Sequence, residues 1–229
     1  MSKVNRLYIE KLVGTKINDL SLYQKAFTHK SALKQYDDLR HSYETLEFIG
    51  DSVLGFVVTK WLFDRYESQQ EGFLTKARTK LVRGETLASI ARKLHLGEMI
   101  IMDDKGMRNG WFTNTKILED VFEALCGAIY MDIGLLHAKE FILRIYENPE
   151  FVNMQCLLVD DNFKDHLMRY CQTNNLPLPE YRIADHKDGV FVIDVYVDNC
   201  FLGRGWAKSK KQAEQESARA FFYPQNQAS

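Results

Sequence analysis

Five acidic residues recur at helical spacing in two short segments of the chain. Glu44, Glu47 and Asp51 stand at positions i, i+3 and i+7, and Asp120 and Glu123 stand at i and i+3. On a helix, each set shares one face. Like charges at this spacing repel by roughly 0.2–0.5 kcal/mol per pair, and the apolar residues around them raise the cost of leaving the charges unneutralised. We therefore expect a cation beside each set.

Two antiparallel helices that face each other would bring four of these carboxylates together, namely Glu47, Asp51, Asp120 and Glu123. Glu119 is turned about 100° away from Asp120 on a helix, so it is left out of the candidate set. Carboxylates without His or Cys form a hard-oxygen site, which suits Mg²⁺ or Mn²⁺ better than zinc, and such sites serve phosphoryl chemistry. The alternative is a solvated helix face with salt bridges to Lys or Arg, which is the usual state of a single acid.

The elements that must position these acids are predicted to be helices. Residues 1–146 carry apolar residues at three- and four-residue spacing, most clearly in 46–62, 81–94 and 117–129, with almost no period-2 alternation. A segment rich in Gly and Asn, Asp103–Asn114, is predicted to be a loop.

The pattern changes after Asn148-Pro149. A helix is predicted over 162–174, followed by three short strands and a second helix that begins after Ser209 as its N-cap. The strands are predicted at Glu180–Ala184, Val190–Val197 and Phe201–Ala207, and the last helix at Lys210–Phe222. The predicted fold is an all-α N-terminal domain plus an α+β (α-β-β-β-α) C-terminal domain, with boundaries at 1–155, a linker at 156–161, and 162–229.

Composition narrows the class of protein further. The chain has 229 residues, of which 45% are hydrophobic, and a net charge of −1. No run of about 18 apolar residues and no apolar N-terminal core of a signal peptide is present, so we expect a cytoplasmic protein without a membrane span. The four cysteines form no C-x-x-C pair and are expected to be reduced, buried thiols. They are Cys126, Cys156, Cys171 and Cys200.

The first acidic segment, E-T-L-E-F-I-G-D-S-V-L at 44–54, resembles the ribonuclease III motif N-E-R-L-E-F-L-G-D-S-V-L. Residues 28–31 (T-H-K-S) resemble the T-H-x-S element of that family, and 116–124 resemble its second acidic motif. The resemblance implies that the four carboxylates of the candidate set are catalytic metal ligands, and that Glu44 belongs to the dimer interface or the substrate side. Departures from the family pattern are Tyr43 for Asn, Thr45 for Arg and Glu119 for a small residue.

The C-terminal segment resembles a double-stranded-RNA-binding domain. The similar stretches are 174–181, Gly203-Arg204-Gly205 and 209–214. Lysines at a helix N-terminus suit phosphate, because the backbone N–H groups and the helix dipole favour an anion there. The RNA-contacting residues implied by the resemblance are Gln172 and His186, from the first helix and the first inter-strand loop, together with Lys208, Ser209, Lys210 and Lys211.

The resemblance implies a homodimeric endoribonuclease that cuts double-stranded RNA with Mg²⁺, for which Mn²⁺ can substitute, and without a small-molecule cofactor. The products would be staggered ends with 5′-phosphate and 3′-hydroxyl groups. One alternative is an RNA-binding protein with an inactive nuclease domain, which the presence of all four acids disfavours. A second, a deaminase, would need a His/Cys zinc set that is absent. Both a bacterial RNA-processing enzyme and a viral enzyme that suppresses RNA silencing by cutting small RNA duplexes fit the sequence.

Overall fold

The computed structural model describes residues 4–36, 39–154 and 162–223. The chain divides into two units, 1–158 and 159–229. The predicted linker, 156–161, lies outside the described residues.

The described part of the first unit is helical, as predicted. Short 3₁₀ turns lie at Lys30–Lys34, Leu96–Met99 and Trp111–Thr113, and the β-pairing found in this part is one bridge between Thr28 and Ile101. The helices are α1 (Arg6–Val13), α2 (Leu20–Ala26), α3 (Glu44–Arg65), α4 (Glu71–Leu81), α5 (Gly84–Lys93), α6 (Asp104–Arg108) and α7 (Thr115–Tyr146).

The segment predicted to be a loop, Asp103–Asn114, contains helix α6 and a 3₁₀ turn. Asp103 starts this helix because its side chain accepts a hydrogen bond from the Gly106 backbone N–H at 2.8 Å. Ser31 also fixes the start of this helix, because its hydroxyl accepts a hydrogen bond from the Asp103 backbone N–H at 3.1 Å. The T-H-K-S segment therefore anchors a helix that composition alone did not indicate.

Helices α3 and α7 form the centre of the first unit and cross with their backbones in contact. A Cβ added to Gly50 would lie 1.8 Å from the carbonyl oxygen of Glu123, and one added to Gly127 would lie 2.2 Å from that of Leu46. Leu46 lies beside Gly127, and Gly50, one turn later on α3, lies beside Glu123, one turn earlier on α7. The two helices therefore run antiparallel. The two glycines thus set the spacing of the helices that carry the candidate acids.

Helix α7 is long and apolar enough to cross a membrane by composition, although it passes through the protein core. Of its most apolar window, 56% is buried inside the unit, and it is interrupted at Gly134, where φ is 88°. Its burial against the surrounding helices accounts for its hydropathy.

The second unit has the predicted α-β-β-β-α order. Helices α8 (Phe163–Thr173) and α9 (Lys210–Phe222) flank an antiparallel sheet of β1 (Glu180–Lys187), β2 (Val190–Val197) and β3 (Cys200–Ala207), in the order β1-β2-β3. Alternate residues of β2 point into a core shared with Leu167, Cys171 and Ala218. Gly203 and Gly205 let α9 lie on β3, since a Cβ at either position would come within 2.6 Å of the helix backbone.

Strand β1 is three residues longer than predicted. It continues through Lys187, and a two-residue turn follows at Asp188-Gly189, where both φ angles are positive (52° and 75°). Such turns match the twist of the strands they join, so the pairing extends to the end of the hairpin.

The cysteine prediction is confirmed in part. Cys126 and Cys171 are buried free thiols, whereas Cys200 is exposed at the start of β3. Its position directly after the Asp198-Asn199 turn places it at the end of the sheet rather than in the core. Cys156 lies outside the described residues.

Candidate metal centre and nucleic-acid interface

Three of the four candidate carboxylates meet where α3 and α7 cross. Glu47 comes from α3, and Asp120 and Glu123 come from α7; one oxygen from each lies within 4.8 Å of the others. Asp120 and Glu123 are buried, and Glu47 is partly buried. No His or Cys belongs to this cluster, so its donor set is the hard-oxygen type that suits Mg²⁺ or Mn²⁺.

The cluster carries more negative charge than its surroundings favour. Burial, followed by the charge of Asp51, raises the pKa of Glu123 to about 8. Burial and the nearby Asp120 also raise the pKa of Glu47. Both shifts have the sign expected when carboxylates are desolvated beside like charges. A divalent cation among these oxygens would relieve both effects, so the residues present fit a metal site.

Asp51 and Glu44 lie outside this group of three. Asp51 is exposed one turn after Glu47, close enough for its charge to act on Glu123. Glu44 is exposed at the first position of α3, where it accepts a hydrogen bond from the Ser42 hydroxyl at 3.0 Å and lies 3.4 Å from the ammonium of Lys30. The structure thus separates Glu44 from the three clustered acids.

A lysine supplies positive charge at the cluster. The ammonium of Lys116 lies 2.8 Å from Oδ1 of Asp120 and 3.5 Å from Oε1 of Glu119. The contact with Asp120 raises the pKa of Lys116, so the side chain stays charged. Sequence reasoning assigned no role to Lys116 and set Glu119 aside. Lys116, Glu119 and Asp120 stand at i, i+3 and i+4, and ion pairs between these three residues could have been predicted from this spacing.

Tyr43, one of the departures from the family motif, also touches the cluster. Its hydroxyl donates to Oδ2 of Asp120 at a long 3.4 Å, and burial raises its pKa, so it stays protonated. The ring packs near His29, with 5.9 Å between centroids. No spacing rule links a residue before one helix to an acid in another helix, so this contact could not be predicted from the sequence.

The predicted RNA-contacting residues lie in the second unit at several places. Lys208, Lys210 and Lys211 are exposed around the start of α9, and the Ser209 hydroxyl caps that helix by accepting from the Gln212 N–H at 3.3 Å. Gln172 is exposed in the last turn of α8.

His186 lies within strand β1 and not in the inter-strand loop where it was predicted. The reason is that the tight Asp188-Gly189 turn leaves only two residues outside the ladder. The His186 ring stacks on Phe191 at 4.0 Å between centroids. Phe191 pairs in turn with Ala207, so His186 and Lys208 are at the same end of the sheet.

Family models match both units. A model described as ribonuclease-III-like matches residues 19–149, and a model of the double-stranded RNA binding motif matches residues 163–222. The two matches correspond to the helical unit and the α-β-β-β-α unit.

Individual relatives match most of the chain. A putative protein of Paramecium bursaria Chlorella virus 1 is 40% identical over 92% of this chain and 76% of its own length. Ribonuclease 3 of Wolbachia pipientis subsp. Culex pipiens is 38% identical over 92% of both chains. Among solved structures, the nuclease domain of ribonuclease III from Campylobacter jejuni is 36% identical, with a TM-score of 0.56, and covers 61% of this chain and 92% of its own. With both units matched by family models and most of its length by such relatives, the chain belongs to the ribonuclease III family of double-stranded-RNA endoribonucleases.

Proposed function

We propose that this protein hydrolyses double-stranded RNA with a divalent cation held by Glu47, Asp120 and Glu123, and with Asp51 on the exposed side of the same site. The observation that carries the proposal is the convergence of three carboxylates within 4.8 Å, two of them buried, at the crossing of α3 and α7. Mg²⁺ is the cation we propose, with Mn²⁺ as a substitute, because both favour oxygen ligands.

The bound cation would supply an activated water and offset negative charge on the scissile phosphate, giving 5′-phosphate and 3′-hydroxyl ends. The chain's own residues hold the site ready for it. The glycine-mediated helix crossing fixes the separation of Glu47 from the two acids of α7. The Tyr43 hydroxyl donates to Oδ2 of Asp120 and orients this carboxylate, while the Lys116 ammonium lies 2.8 Å from Oδ1.

For RNA binding, we propose the start of α9 as the phosphate-contacting surface. Three exposed lysines lie within four residues there, beside backbone N–H groups that also favour anions. A double-stranded-RNA-binding domain contacts phosphates across the narrow major groove of A-form RNA, together with the flanking minor grooves. The exposed positions of Gln172 and His186 suit the minor-groove contacts.

We also propose that the protein is a homodimer through α3. This helix exposes Phe48, Phe56 and Phe63, with 77%, 59% and 62% of each residue accessible. They are separated by eight and seven residues, so they follow one side of the helix. Leu46 and Ile49 beside Phe48 do not belong to this exposed face, because Leu46 is buried and Ile49 packs against the core. In a second structure of the Campylobacter jejuni nuclease domain, which has a TM-score of 0.57, structural flexibility lies in a region involved in dimer formation of that protein.

We propose the cytoplasm as the location, because the substrate is RNA and the thiols of Cys126 and Cys171 are free and buried. The relatives include bacterial ribonucleases and a viral protein. We propose RNA processing or degradation as the role of this protein, because cleavage of double-stranded RNA serves either.

The first test separates catalysis from RNA binding. In Glu123→Gln, we expect cleavage of a labelled duplex in Mg²⁺ to be lost, while duplex affinity in a gel-shift assay stays within about twofold, since the lysines of α9 supply the phosphate contacts. Glu140→Gln, an exposed acid on the same helix, is the matched control and should cleave like the wild type. Near wild-type cleavage by Glu123→Gln would overturn the site assignment.

A further inference from the structure

Glu119 stands outside the proposed ligand set, yet its side chain is held in a fixed place beside it. Only 20% of the side chain is exposed, and its carboxylate lies 3.5 Å from the ammonium of Lys116. That same ammonium lies 2.8 Å from Asp120. Lys116 is therefore shared between one acid inside the cluster and one acid outside it.

The carboxylate of Glu119 lies against Gly84, the first residue of α5. A Cβ added to Gly84 would lie 2.4 Å from Oε2 of Glu119, so the carboxylate rests directly against the glycine. The N-terminus of a helix carries a partial positive charge, which favours a carboxylate at this place. The position of Glu119 thus has a cause independent of Lys116.

Lys116 and a divalent cation compete for the same oxygens. While the ammonium is on Asp120, it neutralises a carboxylate that the proposed site needs for the cation. With 65% of its side chain exposed, Lys116 is not enclosed by packing, and its ammonium lies within 4.0 Å of both acids. Removing Glu119 would leave Asp120 as the carboxylate within 4.0 Å of that ammonium among the described contacts, and would strengthen the competition.

We propose that Glu119 is a positioning residue that draws Lys116 away from Asp120 and so opens the carboxylate cluster to a divalent cation. This inference rests on the proposed function. Glu119 replaces the small residue that is usual in the second acidic motif, so this positioning role is a feature of this chain and not of the motif. Lys116 then remains beside the site as a positive charge without occupying the ligand oxygen.

The test measures Mn²⁺ binding to the full-length, RNA-free protein by electron paramagnetic resonance of the free ion. We expect E119Q to raise the Kd for Mn²⁺ by roughly fivefold, the size of a change of about 1 kcal/mol. E85Q is the matched control, because Glu85 is an exposed acid of α5 whose ion pair is with Arg83 and not with Lys116. It should bind Mn²⁺ within about twofold of the wild type.

The K116M background separates positioning from simple charge. If Glu119 acts through Lys116, K116M should bind Mn²⁺ more tightly than the wild type, and adding E119Q to it should change the Kd by less than about twofold. An equal loss from E119Q with and without Lys116 would overturn the proposal, because Glu119 would then act by its charge alone. Wild-type binding by E119Q would overturn it as well.

E47Q distinguishes this inference from the proposed function. Loss of Mn²⁺ binding in E47Q together with unchanged binding in E119Q would sink only the role of Glu119. Unchanged binding in E47Q would instead contradict the metal site itself. Thermal unfolding of each variant without metal checks that the fold is intact.

Discussion

Glu123 shows most clearly how burial and charge act on one residue of this site. Its spacing from Asp120 predicted that the two would share a helix face, and they do. The depth of its burial was not predictable, because it depends on how closely α3 approaches α7. Lys116 and Tyr43 were missed for a related reason: their contacts with Asp120 depend on side-chain reach and on a tertiary contact, not on a periodic pattern.

Replacing Glu123 should stabilise the metal-free protein at high pH. Its pKa is raised to about 8 in the folded chain from an ordinary value of 4.5. Between these values the folded state holds a proton that the unfolded state has released, so stability falls as the pH rises through this window. We expect Glu123→Gln to leave Tm unchanged at pH 5 and to raise it by on the order of 5 °C at pH 9.

Scanning calorimetry in a chelating buffer measures this difference, with Glu140→Gln as a control that should show the same Tm as the wild type at both values. A gain of equal size at pH 5 and pH 9 would contradict the assignment, because the amide would then be stabilising for a reason other than charge.

At the scale of elements, the crossing of α3 and α7 is the feature on which the site depends. The helical pattern predicted both helices, and the second unit's element order was predicted as well. The closeness of the crossing was not predicted, because a glycine within a helix has no periodic signature of its own. Neither was the short helix α6, which relies on an Asp103 cap rather than on apolar spacing.

Gly50→Ala should destabilise the protein by about 3 kcal/mol or prevent folding, because the added methyl would meet a backbone carbonyl. Gly55→Ala lies on the same helix with no atom within 4 Å of its added Cβ. This control should be neutral or stabilise by up to about 1 kcal/mol, the helix propensity difference. Urea unfolding measures both, and equal stabilities would show that the helices are free to move apart.

Charge reversal at the start of α9 should weaken duplex binding and reduce its salt dependence. For Lys210→Glu with Lys211→Glu, we expect the log–log slope of affinity against salt to flatten by about one unit for each lost phosphate contact. The matched control reverses two exposed lysines of the first unit, Lys11 and Lys139. A slope and affinity equal to wild type in the α9 variant would place the RNA elsewhere.

At the scale of the whole molecule, the sequence predicted two units of different fold class, and the family models match each of them. Which apolar residues remain uncovered was harder to predict. Phe48, Phe56 and Phe63 belong to the same apolar helix as buried residues such as Leu54 and Leu62, and only packing separates the two groups.

Phe56→Asp should convert the proposed dimer into a monomer, because a charge would replace an apolar side chain within the stripe on α3. Light scattering of the full chain measures the mass. Phe201→Asp, at a similarly exposed aromatic residue of the second unit, should leave the mass unchanged.

A dimer in which one subunit carries Glu123→Gln should nick one strand of a duplex. A monomeric wild type, or double-strand breaks by that mixed dimer, would contradict the proposal.

The glycines of the helix crossing also limit how this sequence can diverge. A clash between two side chains can be relieved by a second substitution that shortens the neighbour. Gly50 and Gly127 instead face the carbonyl groups of Glu123 and Leu46, and every amino acid carries that carbonyl. No exchange on the opposite helix can therefore compensate for a larger residue at either glycine, whatever the rest of the sequence becomes.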